Sequence, residues 1–134
     1  MLKQYRLLLF AGIAIIAIAF SILVPRVNRY IVGEHHRDVI REFDRWAEEY
    51  AVVTDDESAT RAANMIGYIS TYYATCDGYR SDDETEQRLQ VARQRSMTQI
   101  ADALSAYTGN VMADPLDWPA EIHDNTKKHP AEVD

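Results

Sequence analysis

Residues 7–24 read LLLFAGIAIIAIAFSILV, 18 positions without a charged or strongly polar side chain. As a helix this run is about 27 Å long, close to the ~30 Å hydrocarbon thickness of a bilayer. It is apolar on every side, whereas a helix packed in a soluble domain carries a one-sided stripe. Lys3 and Arg6 precede it, Pro25, Arg26 and Arg29 follow it, and Tyr5 and Tyr30 stand near the two expected interfaces. Basic side chains snorkel outward and tyrosines favour the headgroup level, so the flanks suit a membrane span.

The reading is therefore an uncleaved signal anchor over residues 1–25, a transmembrane helix with Leu7 and Val24 at the ends of its span. The competing reading is a signal peptide cut after Ala17-Ile18-Ala19. That cut would leave Phe20, Ile22, Leu23 and Val24 at a new N-terminus in water, which disfavours it. The basic flanks are nearly balanced across the span, so the positive-inside rule discriminates poorly. The short N-terminal tail favours the inside, with the soluble part on the extracytoplasmic side of a single-pass membrane protein.

Beyond the anchor the composition turns acidic. The chain of 134 residues carries 14 Lys and Arg against 21 Asp and Glu. With Lys3 and Arg6 set aside, 12 basic residues face all 21 acidic ones, a balance of −9. A nucleic-acid partner needs clustered Lys and Arg to meet phosphates, so that class is excluded. Acidity of this kind suits solubility or a cationic partner. Cys76 is the only cysteine, which rules out an intramolecular disulfide, a Cys-based zinc site and a C-x-x-C redox pair.

Three helices are predicted between residues 26 and 109. From Asn28 to Val53 the residues Val32, His36, Val39, Phe43, Trp46 and Tyr50 recur at spacings of three and four, with Ile40 and Ala47 widening the stripe. Opposite charges three apart, Glu34/Arg37, Asp38/Arg41 and Glu42/Arg45, mark the solvated face. Pro25 is expected to kink this helix or separate it from the anchor, since it cannot donate to the carbonyl of Ser21. Thr54-Asp55-Asp56-Glu57 reads as a capping box with Thr54 at the N-cap, and Ser81-Asp82-Asp83-Glu84 repeats the device with Ser81. The second helix has a stripe of Ala59, Ala62, Ile66, Ile69, Tyr73 and Cys76 ending at Gly78. The third carries Leu89, Ala92, Ser96, Ile100, Leu104 and Tyr107 and ends at Gly109.

Short connections favour antiparallel neighbours. The fold class expected is all-α: the transmembrane helix, then a small antiparallel three-helix bundle, then an irregular Pro-containing C-terminal segment over residues 110–134. Asp114-Pro115, Trp118-Pro119 and His129-Pro130 are read as barriers to regular helix. Val111, Met112, Leu116, Trp118 and Ile122 are expected to fold back over a bundle seam, and the polar end beyond about Asp124 to fray.

Motifs for chemistry are sparse. Glu34-His35-His36-Arg37-Asp38 is where metal-ligand residue types cluster, making His35, His36 and Asp38 the weak metal candidates. Zinc needs three or four convergent ligands, and there is no H-E-x-x-H. His36 falls on the apolar stripe, where a hydrogen-bonded packing histidine is the ordinary explanation. The acidic runs at 55–57 and 82–84 lack the alternation, central glycine and distant glutamate of an EF-hand. No G-x-S-x-G and no Gly-rich phosphate loop occurs, so neither an enzyme nor a cofactor is expected. Tyr68 and Tyr72 lie one turn apart off the core stripe; tyrosine is a favoured interface anchor. The function expected is a membrane-anchored, non-enzymatic accessory or protein-interaction module, its partner another membrane or membrane-associated protein or a second copy of the chain. The alternative is a small ligand- or metal-binding domain using the Glu34–Asp38 cluster.

Overall fold

The computed structural model describes residues 2–73 and 79–128, with side chains at 5, 9–73 and 79–124. Four helices follow in order: α1 (Leu2–Tyr50), α2 (Asp56–Thr71), α3 (Asp83–Thr108) and α4 (Trp118–Lys128), with one 3-10 turn at Pro115–Asp117. No strand occurs among the described residues, so the chain is all-α there. Cys76, Gly78 and the segment from His129 onward lie outside the described residues, but α2 already ends at Thr71, with Tyr72 extended, short of the stop expected at Gly78.

The first correction concerns Pro25. Pro25 does not separate the apolar run from the following stripe: they form one unbroken helix of 49 residues with Pro25 inside it. Proline removes one backbone donor, yet its fixed φ is compatible with helix, so the helix continues with one hydrogen bond fewer. The apolar run is long enough to span a membrane by length and composition, and none of its described residues is buried. Leu9, Phe10, Ile15 and Phe20 are each more than 60% exposed, so no other described part of the chain covers them.

Packing begins at Val32. From there α1 lies along α3: His36 meets Ser81, Phe43 accepts from Ser96, and Asp44 pairs with Arg95. The numbers ascend together, so α1 and α3 run in the same direction. Between α2 and α3 they run oppositely, since Asp56 accepts from Tyr107 while Arg93 reaches Tyr72 and Tyr73. A single core results, built from Val39 and Phe43 of α1, Ala59, Ala62, Ile66 and Ile69 of α2, and Leu89, Ala92, Ile100 and Leu104 of α3.

The caps sit one residue later than the sequence reading placed them. Asp55, not Thr54, caps α2: its carboxylate accepts from the Ser58 backbone N–H at 2.7 Å, and Ser58 Oγ takes the Asp55 N–H at 3.0 Å. Asp82, not Ser81, caps α3, accepting from both the backbone and the hydroxyl of Thr85 at 2.9 Å. A carboxylate brings two acceptor oxygens to the helix start, and Asp82 uses one for the Thr85 N–H and the other for its hydroxyl. The cap hydrogen bonds hold both carboxyls below their ordinary 3.8. At the other end of α3, Gly109 adopts φ 75° and donates to the Ser105 carbonyl, the left-handed stop expected of glycine.

The second correction lies after Gly109. The Pro-containing segment is not irregular throughout: Asp114 caps a 3-10 turn opened by Pro115, and Trp118-Pro119 begins α4. Proline at a first-turn position gives up a donor that has no intrahelical acceptor, so it starts helices as readily as it ends them. The fold-back is real. Trp118 is fully buried and Ile122 nearly so, both within the core, while Val111 and Leu116 stay exposed.

α4 covers a second face of α2, which explains why Ala62 and Ala63 are both buried. Gly67 lies at this contact. A Cβ there would stand 3.7 Å from Pro119 Cγ, an ordinary van der Waals distance. Gly67→Ala is therefore expected to stabilise the fold, by at most about 1 kcal/mol from helix propensity. A lower urea midpoint for the alanine variant would contradict the α2–α4 contact described here.

Candidate functional site

Two clusters stand out from the plain core: an aromatic platform on α1 and α2, and a polar knot around His36. The platform is built on Trp46. Its ring meets Tyr72 at 5.0 Å and Tyr68 at 5.6 Å, both edge-on, and the two tyrosines lie 5.2 Å apart. Edge-to-face geometry at these separations is the favoured arrangement for aromatic pairs. The tyrosines differ in role. Tyr72 packs against the core, and its phenol donates to Glu42 Oε2 at 2.8 Å; that hydrogen bond holds the phenol's pKa above its ordinary value. Tyr68 is 50% exposed and rests on Trp46 with its outer face in solvent. Glu42 thus takes Tyr72 as partner, while Glu34/Arg37 and Asp38/Arg41 form the surface pairs expected from their spacing.

Arg93 fastens the platform from beneath. Its guanidinium donates to the carbonyls of Tyr72 and Tyr73 at 3.0 and 2.8 Å, and sits 5.6 Å over the Phe43 ring. A cation at a helix C-terminus satisfies carbonyls that have no intrahelical donor and complements the dipole. Tyr73 follows with φ 55°, the left-handed region that side chains rarely enter. That turn swings its ring away from the α2 stripe, where the spacing had placed it, and onto the two histidines.

At the knot, His36 is fully buried and His35 exposed. His36 Nδ1 lies 3.0 Å from Ser81 Oγ and 3.1 Å from Glu86 Oε1. That same Oε1 also accepts from the Ser81 backbone N–H at 2.8 Å and from Ser81 Oγ at 3.2 Å. The rings of Tyr73 and Tyr79 close over the imidazole at 5.3 and 6.2 Å, edge-on. Burial pulls His36 below its ordinary 6.5, outweighing the raising effect of the Glu86 carboxylate. The cluster needs Ser81 free of capping duty, which the one-residue shift of the α3 cap provides.

The metal candidates are not brought together. His36 points inward, His35 meets Tyr73 edge-on at 5.0 Å, and Asp38 pairs with Arg41. Among the described residues no group of three or more His, Cys, Asp or Glu is placed to hold a metal ion. The knot also lacks the wiring of a hydrolase triad, in which base and acid use opposite ring nitrogens. Here serine and glutamate share Nδ1. Ser81 and Glu86 are 45 and 50 positions from His36, and no local spacing in the sequence announces such a contact.

Comparison with protein-family models, with curated proteins and with solved structures finds no match for this chain.

Proposed function

We propose that the chain is a membrane-anchored, non-enzymatic interaction module: residues 1–25 cross the bilayer, and the helices beyond Val32 form a bundle that presents the Trp46–Tyr68 platform to a protein partner. The observation that carries this reading is the exposure of the whole apolar run from Leu9 to Val24, on all sides of one helix that leads without a break into a packed domain. An apolar surface of that extent is untenable in water and suits lipid. Val24 and Val32 are eight positions apart, so the domain would begin about 12 Å beyond the span. The platform supports the second half of the reading, because a rigid, half-exposed tyrosine backed by tryptophan is the kind of anchor interfaces favour. The surrounding acidity suits a partner with a basic face, itself in or on the membrane. We place the flank carrying Lys3 and Arg6 toward the cytoplasm and the domain on the extracytoplasmic side.

The test is recovery from gently solubilised membranes. The wild-type chain is expected in the carbonate-resistant membrane fraction. Ile15→Arg with Ile18→Arg is expected to release it, since each arginine at mid-bilayer costs about 2.5–3.5 kcal/mol on the insertion scale. Tyr68→Ala is expected to keep the chain in the membrane and leave its thermal midpoint nearly unchanged while reducing co-purified partner. A double-arginine variant that stays membrane-integrated would refute the anchor. Undiminished partner recovery with Tyr68→Ala would refute the platform. Tyr72 is the poorer probe, because its removal also disturbs the Glu42 bond and the core.

A further inference from the structure

Where α1 passes from its exposed apolar run into the packed domain, His36 is the first polar group fully buried along it. It joins α1 to the start of α3 through Ser81 and Glu86. Glu86 Oε1, as a carboxylate oxygen, can only accept. A proton on His36 Nδ1, 3.1 Å from that oxygen and 3.0 Å from Ser81 Oγ, keeps its lone pair from facing the carboxylate's, while the Ser81 hydroxyl donates to the same oxygen or to the Asp82 carbonyl at 3.4 Å. In that tautomer Nε2 is the site of further protonation. Nε2 is buried without a hydrogen-bond partner among the described residues. Adding a proton there makes a charged N–H that has no acceptor among the described residues, so acid favours any arrangement in which the ring reaches water.

We propose that His36 is an acid-sensitive latch: neutral, it holds the root of α1 against the start of α3, and on protonation that joint opens while the α2–α4 end of the domain stays packed. The titratable and charged groups facing the imidazole are His35 on α1, Tyr73 and Tyr79 on the connection, and Asp82 and Glu86 at the start of α3. Glu86 and Asp82 oppose opening, since either carboxylate steadies an imidazolium, and His35 adds to it. Burial dominates, and its sign is definite. A histidine whose folded value is lowered contributes full stability above the unfolded value near 6.5 and loses it as pH falls through that value. The window is thus the mildly acidic one in which histidine responds.

Hydrogen exchange on the full chain in detergent micelles, corrected for the intrinsic pH dependence of exchange, tests the latch. Between pH 7.5 and 5.5 the protection of residues 32–40 and 81–89 should fall, by up to about tenfold, the ceiling set by one proton taken up one pH unit below 6.5. Residues 59–67 and 118–123 should keep theirs. His36→Asn preserves a donor toward Glu86 without a titrating ring and should remove the pH dependence at both segments. Glu86→Gln removes the steadying charge and should deepen the acid loss; it decides the matter if the asparagine variant does not fold. Equal loss across all four helices, or an acid response that is the same in wild type and in the decisive variant, would overturn the proposal.

Discussion

Phe43→Ala is expected to cost about 3–5 kcal/mol, the range for deleting a large aromatic from a packed core. Against a total of about 5–15 kcal/mol for a domain of this size, that is a large share. The site gives reasons to expect the upper part of the range. Phe43 is fully buried, its ring meets Trp46 at 5.8 Å and Tyr72 at 6.1 Å, and Arg93 lies over its face. All three helices of the core converge there, so the space cannot close by moving one side chain. Removal of the ring also unseats the guanidinium that terminates α2, coupling the core to the platform. Phe43→Leu refills most of the volume and should cost less than half as much. Urea unfolding in micelles, followed by far-ultraviolet circular dichroism, provides the comparison; an alanine variant within about 1 kcal/mol of wild type would show that this convergence is wrongly placed.

Phe43 also illustrates what the sequence makes legible. Its place on a three-four stripe with Val32, His36 and Val39 is a property of helix period, and all four are fully or almost fully buried. The stripe of α3 is as readable from Leu89 to Leu104, and fails at Tyr107, which lies beyond the packed stretch and bonds Asp56 at 2.8 Å instead. Periodicity reports which face is buried when one face is. It missed Ala63, because α2 is covered on a second face by a helix whose opening dipeptide, Trp118-Pro119, carries the signature of a break as well as of a start. Local rules located both cap regions and missed their register by one residue, since Thr54-Asp55 and Ser81-Asp82 each offer two capable side chains in a row. Competition between adjacent caps is settled by what the loser can do elsewhere. Ser81 is drawn to His36 and Glu86, a contact across 45 positions that no window along the chain contains. For the same reason the division of labour between Tyr68 and Tyr72 was hidden: their spacing is identical in kind, and only Glu42, 30 residues away from Tyr72, separates them.

Trp118→Ala is expected to cost a further 3–5 kcal/mol by the same measure, with a different signature. Trp118 is the largest fully buried side chain and the root of α4. α4 has 11 residues, below the ~12–15 at which an isolated helix is even marginal in water. It persists because Trp118 and Ile122 bury against α2. Truncation of the tryptophan should therefore melt α4 as a unit, abolishing exchange protection over residues 118–124, and only then loosen Ala63 and Ile66, which it covers. Helices α1 and α3 should keep their protection under mild conditions, since their shared contacts do not pass through α4. Trp118→Phe sharpens the test. The indole Nε1 is buried without a partner among the described residues, so replacement by phenylalanine removes an unsatisfied donor as well as some apolar surface. The two effects oppose one another, and the variant should lose well under half of what alanine loses. If phenylalanine proves as damaging as alanine, then Nε1 has an acceptor that holds α4 in place, and the anchorage of that helix is polar rather than apolar. If alanine leaves α4 protected, the helix stands on its other contacts, Ile122, Pro119 and the Asn110–Glu121 hydrogen bond among them, and the second covered face of α2 owes little to the tryptophan.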